Sequence, residues 1–517
     1  MKKIIFVFVG LISMSTLYSQ SINDAIRYSN GEVIGSARFR ALSGAFGALG
    51  GDLSAVNINP ASSAVFSTSY ASFSLNNMNI DNETNYFGGK KSNSESDLSL
   101  NQAGGVFVFR NRNENSQWKK FSFSIAYDNT KNYENNWTAI GTNNKNVNSG
   151  GSIASFFLNN ANGLRLDEIS AFVGESNSEA YSEIGSFYGE QNQQAFLGYT
   201  SYIIESETGD DADTNYFSNV VGDSFNQQYN YTSTGYNGKL AFNVGAQYGD
   251  NIYLGLNLNS HFINYERFSA LNESNDTSGA VVNDIYFENI LNTNGSGFSF
   301  QLGSIFKVTN NLRLGLAYDS PTWMTIEEET TQFIQTRSRD GIPLEDGSTF
   351  FSETINPQVV NVFAPYKLQT PGKITGSIAY IFGRSGLLSF DYSRKDYSNT
   401  KFKPTSDAYY SQLNSEINNI FTAVNTYKVG GEYKIKQLSL RAGYRFEESP
   451  YKDGTTIGDL SGYSLGLGYK FGNTSIDLTY DHAEQSRNQQ IFNTGLIDRV
   501  NIENTNSNIT FSLGFQL

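Results

Sequence analysis

Cysteine is absent from this 517-residue chain, proline occurs only eight times and histidine twice. The missing cysteine excludes a disulfide scaffold and a lipid-modified N-terminal cysteine. Basic residues are also scarce: 36 Lys and Arg stand against 50 Asp and Glu, for a net charge of -14. A protein that neutralises phosphates needs a clustered basic surface, so nucleic acid is not an expected partner. Beyond the first twenty residues no apolar run reaches the length of a membrane-spanning helix, and mean hydropathy is -0.39. What the chain does have is 48 glycines and 14% aromatic residues. Disorder and a collagen-like repeat are thereby excluded as well, whereas a membrane protein crossing with strands is not.

The first residues set the compartment. Lys2 and Lys3 precede an apolar stretch from Ile4 to Ile12, followed by mostly small or polar residues through Gln20. That is the order of a secretory signal, with cleavage expected after Ser19 and a signal peptide over residues 1–19. Removing its two lysines leaves 34 basic and 50 acidic residues, or -16.

From residue 69 onward the ruling pattern is alternation with period two, the mark of a strand with unlike faces. Ile509, Phe511, Leu513, Phe515 and Leu517 share one face while Thr510, Ser512, Gly514 and Gln516 share the other. Fourteen such segments are expected, near 69–80, 98–110, 119–130, 233–248, 251–268, 296–308, 311–326, 366–383, 386–397, 423–435, 438–448, 461–471, 474–483 and 506–517. The links after even strands are short, as at Gly249-Asp250, Lys436-Gln437 and Gly472-Asn473, while those after odd strands are longer. The longest connection covers 131–232. Sorting of this kind, with an even strand count, is that of an outer-membrane barrel whose chain ends both face the periplasm. Lipid offers backbone groups no hydrogen bonds, so a sheet exposed to it must close on itself. The expected fold is therefore all-β: a 14-stranded antiparallel transmembrane β-barrel over residues 69–517. Tyr127, Tyr248, Tyr318, Tyr392 and Tyr444 fall where interfacial aromatics belong. Two-residue turns would pair Tyr469 with Ile476 outside and Glu432 with Arg441 inside.

Residues 20–68 break the pattern. They are rich in glycine and alanine, and Phe39, Leu42, Phe46, Leu49, Val56 and Ile58 would be costly to leave in water. A compact lumenal plug accommodates them. The stretch Ala45 to Val65, with Gly50-Gly51-Asp52 and Asn59-Pro60-Ala61, resembles the N-terminal hatch of FadL-type long-chain fatty acid transporters of the outer membrane protein transport family. Further similarity lies in Leu312–Pro321, Leu368–Tyr397, Tyr427–Pro450 and Gly462–Tyr480, whereas the 131–232 insert has no counterpart.

The resemblance implies a barrel closed by a lumenal hatch and passive diffusion of hydrophobic molecules without a cofactor. It also implies sideways release at an inward kink of the wall into outer-membrane lipid. Gly104-Gly105 would supply such a kink, or would pack against the hatch. A direct exit into water is unfavourable, since returning about fourteen methylenes to water costs roughly 11 kcal/mol.

By parity Arg313, Lys428, Glu432, Arg441, Arg445, Asp391 and Asp477 point inward, either pairing with one another or, for Arg441 and Arg445, meeting a carboxylate head group. The insert's Phe156, Phe157, Phe172, Phe187 and Tyr188 would line a greasy groove or form the core of a cap. Short helices are expected there at Ile153–Leu158, Leu164–Val173 and Ala195–Ile204. No catalytic or metal constellation is evident, so the chain is not expected to be an enzyme. Two other functions stay open: a haem receptor, although by parity His261 faces inward and His482 outward, and a structural or adhesin barrel. A monomer is expected.

Overall fold

The computed structural model describes residues 21–113, 115–343, 347 and 349–517. The expected signal peptide lies outside the described residues. Fourteen antiparallel strands close a barrel. In chain order they are β1 (Tyr70–Tyr86), β2 (Gly89–Arg110), β3 (Trp118–Asn132, continued by Asn135–Asn143), β4 (Phe225–Tyr248), β5 (Ile252–Ser274) and β6 (Asp284–Lys307). Then come β7 (Leu312–Asp319 and Trp323–Pro343) and β8, which returns in four pieces: Thr349–Ile355, Asn361–Val362, Tyr366–Gln369 and Lys373–Ile381. The wall ends with β9 (Gly386–Asp396 and Lys401–Lys403), β10 (Ala423–Ile435), β11 (Leu438–Glu447), β12 (Ile457–Phe471), β13 (Thr474–Gln490) and β14 (Arg499–Gln516). Closure comes from β1 against β14, in register from Tyr70↔Gln516 to Asn85↔Asn501.

The expected turns and registers are present. Tyr469 faces Ile476 and Leu467 faces Leu478 on the outer side, and Glu432 faces Arg441 on the inner side. Outward residues such as Leu465, Leu467, Leu478 and Ile509 are about half exposed, as lipid-facing side chains must be when no lipid is counted. Tyr318, Tyr392, Tyr444, Tyr463 and Tyr480 mark one limit of this apolar band, and Tyr248, Tyr433 and Tyr469 the other.

The strands outrun the band. β4 has 24 residues, which at roughly 3.3 Å per residue and a tilt of about 40° gives a wall roughly 60 Å high, against an apolar band of about 25 Å. Much of what alternation marks as loop is therefore strand. Residues 81–97 are the tip of the β1–β2 hairpin, turning at Phe87-Gly88. Above the lipid the outward face of the ladder turns polar, at Asn79, Asp81, Glu83 and Asn85, so backbone pairing persists after the outward apolar period has ended. For the same reason the long insert is shorter than 131–232: β3 resumes at Asn135–Asn143 against Phe225–Ser233 of β4, leaving residues 144–224.

Those residues fold into a cap of three helices, α1 (Ala154–Ala161), α2 (Asn177–Tyr188) and α3 (Glu190–Thr200), with a small hairpin pairing Ile204–Ser206 with Tyr216–Ser218. The helix expected at Leu164–Val173 is only a single 3-10 turn, Leu166–Glu168. The helix not expected, α2, begins at Ser176, whose hydroxyl accepts from the Glu179 amide while Glu179 reaches back, a capping box legible in the sequence. Phe156 and Phe157 are buried with Phe196, Ile184 and the wall residues Phe287 and Ile334, so they form a core rather than a groove. Phe172, Phe187 and Tyr188 remain exposed.

Candidate functional site

The N-terminal residues lie inside the barrel. A helix, Ile22–Ser29, stands in the upper lumen; a short helical turn, Ala37–Ala41, lies across the middle; and two 3-10 turns, Ser54–Asn57 and Pro60–Val65, complete the segment. Local chemistry explains each. Ser36 caps the second helix by accepting from Phe39 N. Asn59 caps the last turn by accepting from Ala61 N, and Pro60 occupies its first position, where no amide is needed. Gly50 and Gly51 both adopt left-handed φ, +65° and +71°, reversing the chain between them. Phe39, Leu42, Phe46 and Leu49 pack together as the segment's own core.

On one side the segment is held by charge. Arg38 Nε donates to Glu432 Oε2 at 3.0 Å, and Arg441 donates to the same oxygen at 2.6 Å and to Asp477 at 2.6 Å. Arg40 grips Asp481 through two bonds, at 2.6 and 2.8 Å. Asp391 accepts from the amides of Phe46 and Gly47 at 3.0 and 2.9 Å, and Arg313 donates to Leu49 O at 2.7 Å. A network of this burial is tolerable only when complete, because removing one partner strands a charge in the interior. Within the segment Asp52 accepts from Ser36 and Ser54, yet burial pushes its carboxyl above the ordinary range, against the pull of Arg38.

On the opposite side the contacts are neutral. Asn59 Nδ2 donates to Gly47 O at 2.7 Å and to Ser304 O at 2.9 Å. Asn243, Asn257 and Gln301 of the wall donate to the carbonyls of Pro60, Val56 and Asn57 at 3.0, 2.9 and 2.9 Å. Here Gly245, Gly255 and Gly303 lie side by side across three strands. A Cβ at Gly255 would come 2.2 Å from the Pro60 carbonyl carbon, and one at Gly303 would come 2.0 Å from Asn59 Oδ1. Glycine is required because backbone approaches backbone.

The ladder between β2 and β3 runs from Arg110↔Lys120 to Gln102↔Asp128 and stops there. Above it β3 pairs only with β4 and lies behind the hairpin, where Asn135 and Asn136 accept from Asn82. Asn101 is an extra residue bulged from β2. Gly104 lets the two strands approach, since its Cβ would meet Ile125 O at 2.3 Å, while Gly105 faces outward. Beyond the stop, Leu98 and Leu100 still face lipid, 69% and 41% exposed, while Asn101, Gln102 and Asp128 line the inside with side-chain atoms that lack partners.

Between the N-terminal segment and the cap lies a cavity of about 1650 Å³, roofed by Phe156, Tyr188 and Gln194 and flanked by the helix Ala408–Ile420. Arg445 lines it, whereas Arg313, Arg441 and Glu432 do not; they serve the contacts below. Parity alone did not separate these levels. It also passed over Arg38 and Arg40, which sit outside any strand, and over Arg267 and Arg487, which lie on strand ends beyond the apolar band.

Comparisons extend this picture. A search of curated proteins gives no significant match. Among solved structures, a Pseudomonas aeruginosa FadL homologue aligns over 94% of this chain and all of its own, with TM-score 0.52 and 14% identity. The Pseudomonas putida toluene transporter TodX aligns over the same shares with TM-score 0.50 and 13% identity. At such identities the likeness is one of fold. The profile of the outer membrane protein transport proteins (OMPP1/FadL/TodX) matches residues 204–517, well over half the sequence. With its closed fourteen-stranded wall and filled lumen, the chain belongs to this family of outer-membrane channels for hydrophobic compounds.

Proposed function

We propose that the protein admits hydrophobic or amphiphilic molecules, long-chain fatty acids among them, by passive diffusion, with residues 20–68 as the hatch that gates the lumen. Residues 1–19 export the chain and are removed, and one closed barrel works alone. The observation that carries this reading is the seating of the N-terminal segment against opposite walls, directly beneath a cavity large enough for such a guest. The straight path to the periplasm is blocked by Leu42, Phe46 and Pro60, all buried in the lumen. The exit proposed is sideways, where the β2–β3 ladder ends while Leu98 and Leu100 still face lipid. Leaving there spares an apolar chain its transfer into water.

The haem alternative finds little support in the two histidines. His261 hydrogen-bonds Ser299 at 2.8 Å within the wall, and His482 lies on the outer face beside Tyr463. Neither lines the cavity. Deleting residues 21–65 and following entry of labelled oleate and of haem into liposomes holding the barrel tests the reading. Deregulated or lost oleate transport with unchanged haem is expected. An unchanged oleate rate would point to a structural barrel.

A further inference from the structure

Charge is distributed unevenly between the outside and the lumen. The chain carries -14 overall, yet the cavity is lined by eleven Lys and Arg against eight Asp and Glu. Part of the excess sits on β8–β11, where Lys373 is directly opposite Lys395, and Lys428 directly opposite Arg445. Like charges in cross-strand register destabilise a sheet unless something answers them. Asp319 takes Lys373 at 2.8 Å, but Asp391, in register with Lys428, is turned to the amides of Phe46 and Gly47.

Four of the other seven converge from separate elements: Arg27 on the first helix, Lys131 on β3, Arg267 on β5 and Arg487 on β13. The Arg27 guanidinium lies 4.6 Å from the centre of the Tyr265 ring, and the hydroxyls of Tyr265 and Tyr231 share a 3.0 Å hydrogen bond. Arg27 is answered by Asp24, and Lys131 feels Glu32. Among the described residues no carboxylate lies within salt-bridge distance of Arg267 or Arg487, although Glu190 on the same cavity attracts Arg267, and the Nε of each is sealed from solvent without an acceptor. Buried guanidinium donors are normally matched, so a pair left open on one cavity needs an explanation.

We infer that Arg27, Lys131, Arg267 and Arg487, with the Tyr231 and Tyr265 hydroxyls, form a site for a doubly charged oxyanion, a phosphate monoester or paired carboxylates, on the head of an amphiphilic guest. The double charge matches Arg267 and Arg487, the two of the four cations that no carboxylate reaches within salt-bridge distance among the described residues. Phe492, packed on the buried rings of Phe156 and Phe287 with ring centres 4.9 to 6.3 Å apart at the roof, offers the surface for its apolar part. The inference rests on the channel reading above and narrows its cargo from amphiphiles in general to those with a doubly charged head.

The test is equilibrium binding of dodecyl phosphate, dodecanoate and dodecanol to the full-length protein in neutral nanodiscs at pH 8, where a phosphate monoester carries nearly two charges. Dodecyl phosphate is expected to bind about tenfold more tightly than dodecanol, with dodecanoate between. The Arg267→Gln/Arg487→Gln double variant should lose that preference and keep its affinity for dodecanol. Inorganic phosphate should compete with dodecyl phosphate on the unaltered protein, a measurement that needs no variant. Equal affinity for the three probes, or a preference that survives the double substitution, overturns the site alone. Failure of every probe to bind overturns the channel reading and the site with it.

Discussion

The two sides of the lumen that hold the N-terminal segment solve one problem in different ways. Along β10–β13 the contact is ionic, built on Glu432, Arg441, Asp477 and Asp481 around Arg38 and Arg40. Along β4–β6 it is a glycine floor with amide side chains, in which Pro60 and Asn59 rest against Gly255 and Gly303. The ionic side fails through loss of a partner, the glycine side through gain of an atom. Charge fixes which residues meet; the missing Cβ atoms fix how closely they meet. On the proposed gating, the segment swings from the second edge while staying attached at the first.

The largest effect is expected on the shape-matched side. Gly255→Leu places side-chain atoms where the Pro60 backbone lies, so the segment must lift. Efflux of a dye trapped in liposomes should rise by about three hundredfold, the change in open population that ~3.5 kcal/mol produces. An unchanged efflux would show that the floor is dispensable. On the ionic side, Glu432→Gln leaves Arg38 and Arg441 without their carboxylate, which should cost about 3 kcal/mol of docking. Hydrogen exchange of the Arg40 and Ser43 amides, both bonded within the segment, reads that loss. Protection equal to the unaltered protein would remove charge from the account.

Asn59→Ala should act more mildly, by about 1–3 kcal/mol, through the orphaned carbonyls of Gly47 and Ser304. It is checked by the rate at which protease reaches the segment in reconstituted barrels. Smallest of all is the pH effect of Asp52. Its carboxyl is raised in the folded segment, so the folded form binds the proton more tightly than the unfolded form. The associated stability is full below the ordinary value of 3.8 and is lost as pH rises through the raised value. Exchange at the Ser54 amide should therefore be slower at pH 4 than at pH 7 after correction for intrinsic rates, and Asp52→Asn should flatten the difference.

Much of the wall was legible because lipid and lumen impose opposite demands on alternate residues. Leu465, Leu467 and Tyr469 could face only one way, and the Gly472-Asn473 turn then set the register with Ile476 and Leu478. Legibility ended where lipid ended: the outward residues Asp81, Glu83 and Asn85 are polar, so the apolar alternation fades while the pairing goes on. The cap was partly legible, since Ser176 and Glu179 announce a helix that periodicity alone did not. In the lumen, parity found the direction of Arg441 and Arg445 but not their depth, and depth decides that Arg441 is consumed by Glu432 and Asp477 while Arg445 lines the cavity. The glycine row was present in the sequence as inward-facing glycines on neighbouring strands, but its meaning needed the partner that lies on it.

The central claim is that the N-terminal segment sits inside the barrel and must move for a guest to pass. Ser63 and Ser122, one on the segment and one on β3, have hydroxyl oxygens 3.0 Å apart, and the absence of native cysteine makes a cross-link there unambiguous. In the Ser63→Cys/Ser122→Cys protein, mild oxidation in outer membranes should join the two and arrest oleate uptake, and reduction should restore it. Failure to cross-link, or uptake that continues at full rate once the two are joined, would contradict the account.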